Sequence, residues 1–279
     1  AMRKVEKEYG KDWWFKVWGP EKLVDGGIGR ADDWIIKNGG AKAANWHGFG
    51  KLAPGFNMLD PIKATIVTPG LNLDGKFDKT GIPASIVTKF LAEHGVVVEK
   101  TGLYSFFIMF TIGITKGRWN TLVTALQQFK DDYDKNHPLW KVLPEFVQKN
   151  PRYERIGLRD LCTQIHSVYK QNDVARLTTE MYLSDMVPAM RPADAFAKMA
   201  HREIERVPLD RLEGRVTAVL LTPYPPGIPL LIPGERFNAK ICNYLKFARE
   251  FNAAFPGFET DVHGLVKGAD GRYYVDCVR

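Results

Sequence analysis

The 279-residue sequence is 45% hydrophobic and 25% charged, proportions that fit a folded chain with a sizeable core and exclude a linker or a disordered tail. Its net charge of +7 comes from bases scattered among acids, as in Lys4-Val5-Glu6-Lys7-Glu8 and His201-Arg202-Glu203-Ile204-Glu205-Arg206, so no basic stripe for nucleic acid forms. No run approaches the ~20 apolar residues of a membrane span, and Cys162, Cys242 and Cys277, odd in number and without a CxxC pair, point to no disulfide framework and no zinc site.

A reducing, cytoplasmic compartment follows as the expectation. The N-terminal stretch, Ala1 to Tyr9, is polar and helical in character rather than a leader with an apolar run. From Gly19 to Gly55 the composition turns to Gly, Ala, Asn and Asp, which predicts a long irregular segment. Ile62 to Thr68 is a β-rich run closed by Pro69-Gly70, and Asp74-Gly75-Lys76 is turn-like. A helix is expected to begin near Pro83, with Ile86, Val87, Phe90 and Leu91 on its buried face and Gly95 as its stop. Val96 to Val98 and Tyr104 to Ile112 read as strands, the second apolar enough to be covered on both faces. Trp119, Leu122, Val123, Leu126 and Phe129 then recur at helical spacing.

Between Asp131 and Pro151 the prolines of His137-Pro138, Pro144 and Asn150-Pro151 interrupt any period, which predicts a domain boundary. Beyond it, Leu158, Leu161, Ile165, Val168 and Tyr169 predict one helix. Pro192 followed by Phe196, Met199, Ala200, Ile204 and Val207 predicts another. Val216 to Leu221 reads as a short buried strand, Ile241, Tyr244, Leu245 and Ala248 as a helix, and Asp270-Gly271 as a hairpin turn. The whole is a mixed α/β (α+β) pattern of two domains without internal repeats.

Chemistry is scarce in this pattern. Gly26-Gly27-Ile28-Gly29 and Gly48-Phe49-Gly50 neither follow a strand nor open a helix, so they do not make a dinucleotide site. The six histidines His47, His94, His137, His166, His201 and His263 include no HExxH and no i,i+4 pair, and read as hydrogen-bonded structural residues. No serine, cysteine or threonine stands in a nucleophile's setting, and no metal site is predicted.

A series of longer motifs carries more. Trp46-His47-Gly48-Phe49, Leu59-Asp60-Pro61-Ile62-Lys63-Ala64-Thr65, Thr68-Pro69-Gly70, Gly81-Ile82-Pro83-Ala84-Ser85-Ile86-Val87 and Val97-Val98-Glu99-Lys100-Thr101-Gly102 occupy the first half. Pro223-Tyr224-Pro225-Pro226-Gly227-Ile228-Pro229-Leu230, Pro233-Gly234-Glu235 and Pro256-Gly257-Phe258-Glu259-Thr260-Asp261-Val262-His263-Gly264 occupy the second. In order and spacing this series resembles the bacterial ornithine/lysine/arginine decarboxylase family, and the resemblance covers nearly the whole chain.

The resemblance implies the small subdomain of an aspartate-aminotransferase-like fold over residues 1–135 and a family-specific C-terminal α/β domain over residues 136–279. It implies pyridoxal phosphate as cofactor and lysine, arginine or ornithine as substrate, with the Val-Val-Glu-Lys-Thr-Gly wording leaning towards lysine. In the family a Ser-x-His-Lys motif in an upstream core supplies the lysine joined to the cofactor, and an Asp there pairs with the pyridine nitrogen. Neither is found in this sequence, and Lys63 and Lys100 are not preceded by that motif. The chain is therefore expected to hold no catalytic residue and to be inactive alone.

Glu99 is the candidate for holding the distal cation of the substrate, against the plainer alternative of a local ion pair with Lys100 or another base. Tyr224 belongs either to a rigid proline corner or, with Glu235, to the rim of the active-site entrance. Trp46 and His47 either line a pocket or pin the long loop. Self-association as a dimer, stacking further into a decamer, is implied by the resemblance; a guanosine-alarmone site known in some members is not carried over. A rival reading is a non-catalytic module of assembly or interaction derived from that family.

Overall fold

The computed structural model describes residues 2–18, 60, 62–72, 74–224 and 227–279. The Gly-rich segment after Gly19, with Trp46, His47 and the other motifs up to Leu59, lies outside these residues, as do Pro61 and the Pro225-Pro226 pair. The chain divides into two units, one of Ala1–Gly70, Asp78–Gln148 and Arg152–Cys162, the other of Leu71–Phe77, Lys149–Pro151 and Thr163–Arg279. Positions 135 and 136 both fall inside the first unit.

In the first unit, helix α1 (Met2–Tyr9) leads into strand β1 (Lys16–Val17), and β2 (Lys63–Val67) places Ile66 in the core. Helix α2 (Ala84–Glu93) starts after Pro83, whose fixed φ suits a helix start, and the Ala84 amide donates to Leu103 O at 2.9 Å. It stops at Gly95, whose φ of +74° lies where a side chain would be strained. Ile86, Val87, Phe90 and Leu91 are all buried, as their spacing predicts.

The strands β3 (Lys100–Thr101) and β4 (Ser105–Met109) follow, and the sheet order is β1-β2-β4-β3 with every pair antiparallel. Helix α3 (Lys116–Asp134) contributes Leu122, Leu126 and Phe129 to the core. Phe129 meets Phe15 at 6.0 Å and Phe90 at 5.4 Å, both edge-to-face. Such rings add roughly 0.5–1.5 kcal/mol beyond the area they bury.

Two strand expectations are corrected here. Val96 to Val98 form no strand: the turn at Gly95 throws the chain outward, Val97 is 85% exposed, and pairing begins only at Lys100. The strand read from Tyr104 to Ile112 is shorter and one-sided. Phe106 and Ile108 are buried, the alternate residues Ser105, Phe107 and Met109 are not, and Ile112 is fully exposed.

The proline-broken stretch after Asp131 is ordered as α4 (Leu139–Val142) and α5 (Pro144–Lys149), which bury Leu139, Val142, Phe146 and Val147. Glu93 of α2 caps α5, its carboxylate accepting from Phe146 N at 2.8 Å. Asp132, itself buried, accepts from His137 Nδ1 at 2.7 Å and from Gln128 Nε2 at 3.1 Å. Helix α6 (Leu158–Gln171) is capped from a distance: Asn136 Oδ1 accepts from Arg159 N at 2.9 Å and from Asp160 N at 3.3 Å.

The second unit contains α7 (Val174–Leu183), α8 (Pro192–Ala200), β5 (Ile204–Pro208), β6 (Thr222–Tyr224), α9 (Ala239–Ala254), β7 (Asp261–His263), β8 (Val266–Lys267) and β9 (Tyr273–Val278). The strands form two antiparallel sheets, β5-β9-β8 and β6-β7. Ile241, Tyr244 and Leu245 of α9 pack with Met181, Leu230, Leu231, Val275 and Cys277 in one core. Asn238 caps α9 by accepting from Ile241 N at 3.0 Å. The Asp270-Gly271 turn joins β8 to β9 as predicted, with Gly271 at φ +79° and Tyr274 Oη donating to Asp270 Oδ2 at 2.6 Å.

The single helix predicted from Pro192 to Val207 is in fact a helix and a strand. Arg202 turns the chain at φ +60°, after which Ile204 and Val207 pair with Val278 and Val275. Phe196, expected on the buried face of that helix, is 63% exposed. Val216 to Leu221 forms isolated bridges, at Val216, Thr217 and Leu221, rather than a strand. Helix α7 had no counterpart in the sequence reading.

Candidate functional site

Glu99 stands at the start of the edge strand β3, and its surroundings are set by hydrogen bonds on both sides. Its amide donates to Phe107 O at 2.9 Å, although the ladder partner of Phe107 is Lys100. Two successive residues therefore face one, which is the definition of a β-bulge, a device that bends a strand and redirects a side chain. Beyond it the ladder closes through Gly102 N donating to Ser105 O at 2.7 Å.

The strand is also tied to α2. Thr101 Oγ1 donates to Thr88 Oγ1 at 3.3 Å, and Thr88 Oγ1 donates to Ser85 O at 3.3 Å, so two hydroxyls link β3 to the helix backbone. The Glu99 side chain is exposed, and among the described residues its carboxylate makes no ion pair; the local partner Lys100 does not neutralise it. Chemically this is a free anion on a hydrogen-bonded frame, able to accept charge-assisted bonds from a cation.

Gly95, Val96 and Val97, just before Glu99, line an open groove of about 420 Å³ with Ile108, Arg118 and Trp119. A second open groove, of about 500 Å³, is lined by His94, Asn120, Thr124 and Gln128 among others. No lysine lines either. Lys63 pairs with Asp60 at 3.2 Å on the surface, and Lys100 is exposed in β3.

Tyr224 belongs to the second unit. It closes β6, pairs with Asp261 across the small sheet, and its ring lies 4.6 Å from that of His263. His263 Nε2 in turn lies 3.1 Å from Asp261 Oδ2. Gly227, at φ +77°, packs so closely that a Cβ there would stand 2.8 Å from Tyr224 Cε1, and its amide donates to Pro223 O at 2.7 Å. The ring thus packs directly against Gly227. Glu235 accepts from Ile232 N at 2.8 Å, closing a turn.

His94 and His166 are engaged locally. His94 Nδ1 lies 2.7 Å from Phe90 O, and His166 is buried with its ring 6.0 Å from that of Phe77. Among the described residues no group of three His, Cys, Asp or Glu could hold a metal. No described helix is long and apolar enough to cross a membrane. The bulge and the Thr101–Thr88 link had no sequence signal, because each depends on the register in which separate elements pair or pack.

Residues 1–118 match the family model described as "Orn/Lys/Arg decarboxylase, major domain", and residues 175–279 match "Orn/Lys/Arg decarboxylase, C-terminal domain". The chain belongs to this family of decarboxylases. It is 50% identical over 275 residues to the "Lysine decarboxylase LdcA" of Pseudomonas aeruginosa, covering 96% of this chain and 36% of that protein. It is 35% identical over 300 residues to the "Biodegradative arginine decarboxylase" of Escherichia coli, covering 100% of this chain and 39% of that protein. The structure of lysine decarboxylase A from Pseudomonas aeruginosa superposes with a TM-score of 0.91 at 49% identity, covering 100% of this chain and 38% of that one. The mixed α/β fold read from the sequence is thus that of a decarboxylase. The chain spans little more than a third of the length of these relatives.

Proposed function

We propose that this chain is part of a pyridoxal-phosphate-dependent decarboxylase that releases CO2 from lysine, and that Glu99 accepts the distal ammonium of the substrate. The observation that carries the proposal is the 50% identity to a lysine decarboxylase over 96% of the chain, against 35% to an arginine decarboxylase. When bound, the cofactor supplies the electron sink for the bond that breaks at Cα. The residues of this chain do not themselves fit as its holder: no histidine in the sequence is followed by lysine, and neither described groove contains a lysine. We assign the cofactor to polypeptide beyond this chain.

What this chain contributes is grip on the far end of the substrate. An exposed carboxylate with, among the described residues, no counter-ion is available for an ammonium, and holding that end orients the substrate. Residues 1–135 and 136–279 serve in this proposal as the small subdomain and the C-terminal domain of the enzyme. Assembly into dimers and decamers in the cytoplasm belongs to it too, and the exposure of Val97, Ile112, Leu183 and Phe196 agrees with surfaces covered by other polypeptide.

The test is CO2 release from lysine, arginine and ornithine by the complete protein that contains this chain, with the chain alone as control. Lysine is expected to give the highest kcat/KM and the chain alone no release; absence of CO2 from all three would overturn the proposal. Glu99→Gln in the complete protein is expected to raise KM for lysine about 10- to 100-fold, the value of one charge-assisted bond.

A further inference from the structure

We infer that Thr101 is a positioning residue for substrate binding: its hydroxyl, relayed through Thr88 to the backbone of α2, holds the β-bulge in the register that presents Glu99. This inference rests on the role of Glu99 proposed above. Strand β3 is only two residues long and pairs on one side, with β4. An edge strand of that length has few ladder bonds to fix it, and a bulge gives up one of them.

Two sets of bonds make up the deficit. On the β4 side are the amides of Glu99 and Gly102, bonded to Phe107 O at 2.9 Å and to Ser105 O at 2.7 Å. On the α2 side is the relay Thr101 Oγ1 to Thr88 Oγ1 to Ser85 O, each step 3.3 Å and partly buried. The helix is itself fixed by its buried face, in which Ile86, Val87 and Leu91 are fully enclosed. The relay therefore refers the strand to a rigid element, whereas the ladder alone would let β3 slide relative to α2. The turn after it is equally confined, since a Cβ on Gly102 would stand 3.0 Å from Ser105 Oγ. A carboxylate two residues from Thr101 inherits that reference, and a charge-assisted bond to a substrate depends on its placement.

The experiment compares wild type, Thr101→Val, Thr101→Ser, Glu99→Gln and the Glu99→Gln/Thr101→Val double variant in the complete enzyme, reading KM and kcat for lysine separately. Loss of one neutral hydrogen bond should raise KM for Thr101→Val about 3- to 10-fold with kcat nearly unchanged. Thr101→Ser, which keeps the hydroxyl, should restore the wild-type KM. In the Glu99→Gln background the Thr101→Val change should have no further effect, because the group it positions is gone. The inference is overturned if Thr101→Val leaves KM unaltered while Glu99→Gln raises it. It is overturned also if Thr101→Val raises KM equally in both backgrounds, which is the signature of a general structural defect. A Glu99→Gln variant with unchanged KM would instead remove the role of Glu99 itself. Should Thr101→Val fold poorly, Thr88→Val breaks the same relay and carries the same expectations.

Discussion

The ring of Tyr104 lies so close over Gly70 that a Cβ on the glycine would stand 2.3 Å from Tyr104 Cε1, with Gly70 at φ +134°. The contact closes the turn after β2, where Thr68 N donates to Tyr104 O at 2.9 Å and Thr68 Oγ1 donates to Ile82 O at 2.6 Å. Tyr104 is itself buried, so the ring cannot swing into solvent without exposing the core. Gly70→Ala combines a strained backbone with overpacking and is expected to cost about 2–4 kcal/mol. Urea unfolding is the check: the midpoint should fall while the slope stays constant.

Asn136 carries two separable burdens. It sits at φ +51°, and its amide caps α6 from more than twenty residues upstream through Arg159 N and Asp160 N, with Asp160 Oδ2 accepting from Nδ2 at 2.9 Å. Asn136→Ala loses the cap and strains the backbone, for a cost of about 1.5–3 kcal/mol. Asn136→Gly loses only the cap and should cost about 1 kcal/mol. Thermal unfolding of both variants tests the order; an alanine variant more stable than the glycine one would contradict it.

The three cysteines are buried and predict an alkaline limit to stability. Burial pushes the Cys242 thiol up to about 11 and the Cys277 thiol up to about 12, and Cys162 is raised as well. In the unfolded chain these thiols ionise near 9. The unfolded state therefore loses protons first as pH rises, and stability present below pH 9 should decline steadily through the range of 11 to 12. Equilibrium unfolding at stepped pH measures the slope. In the native protein iodoacetamide at pH 8 should label none of the three, and all three should react after denaturation.

How far the sequence speaks for itself differs between elements. Helices α2 and α9 were legible because their apolar residues recur at helical spacing and land on buried faces, as Phe90 and Leu245 show. Helix α8 misled because its apolar period runs on unbroken into Ile204 and Val207. The break is made by Arg202 in a left-handed conformation, which no glycine announces. Val96 to Val98 have the composition of a strand, but the turn at Gly95 carries them outward, Val97 stands exposed, and pairing with β4 begins only at Lys100.

The candidate site is similarly divided. Glu99 could be singled out from its motif, yet the bulge that redirects it exists only because Phe107 O accepts from the residue before its ladder partner. Likewise Tyr224 was visible as part of a proline-rich corner, whereas its ring contact with His263 depends on β6 pairing with β7. The register of pairing decides such details, and a local pattern holds no record of it.

Among the described residues the four-stranded sheet ends on either side in a strand of only two residues, β1 and β3, one of them bulged. Margins so short leave little unpaired backbone for a neighbouring molecule to copy, which denies this sheet the edge-to-edge growth that leads to fibrils. Whatever docks against this sheet is met mainly by side chains.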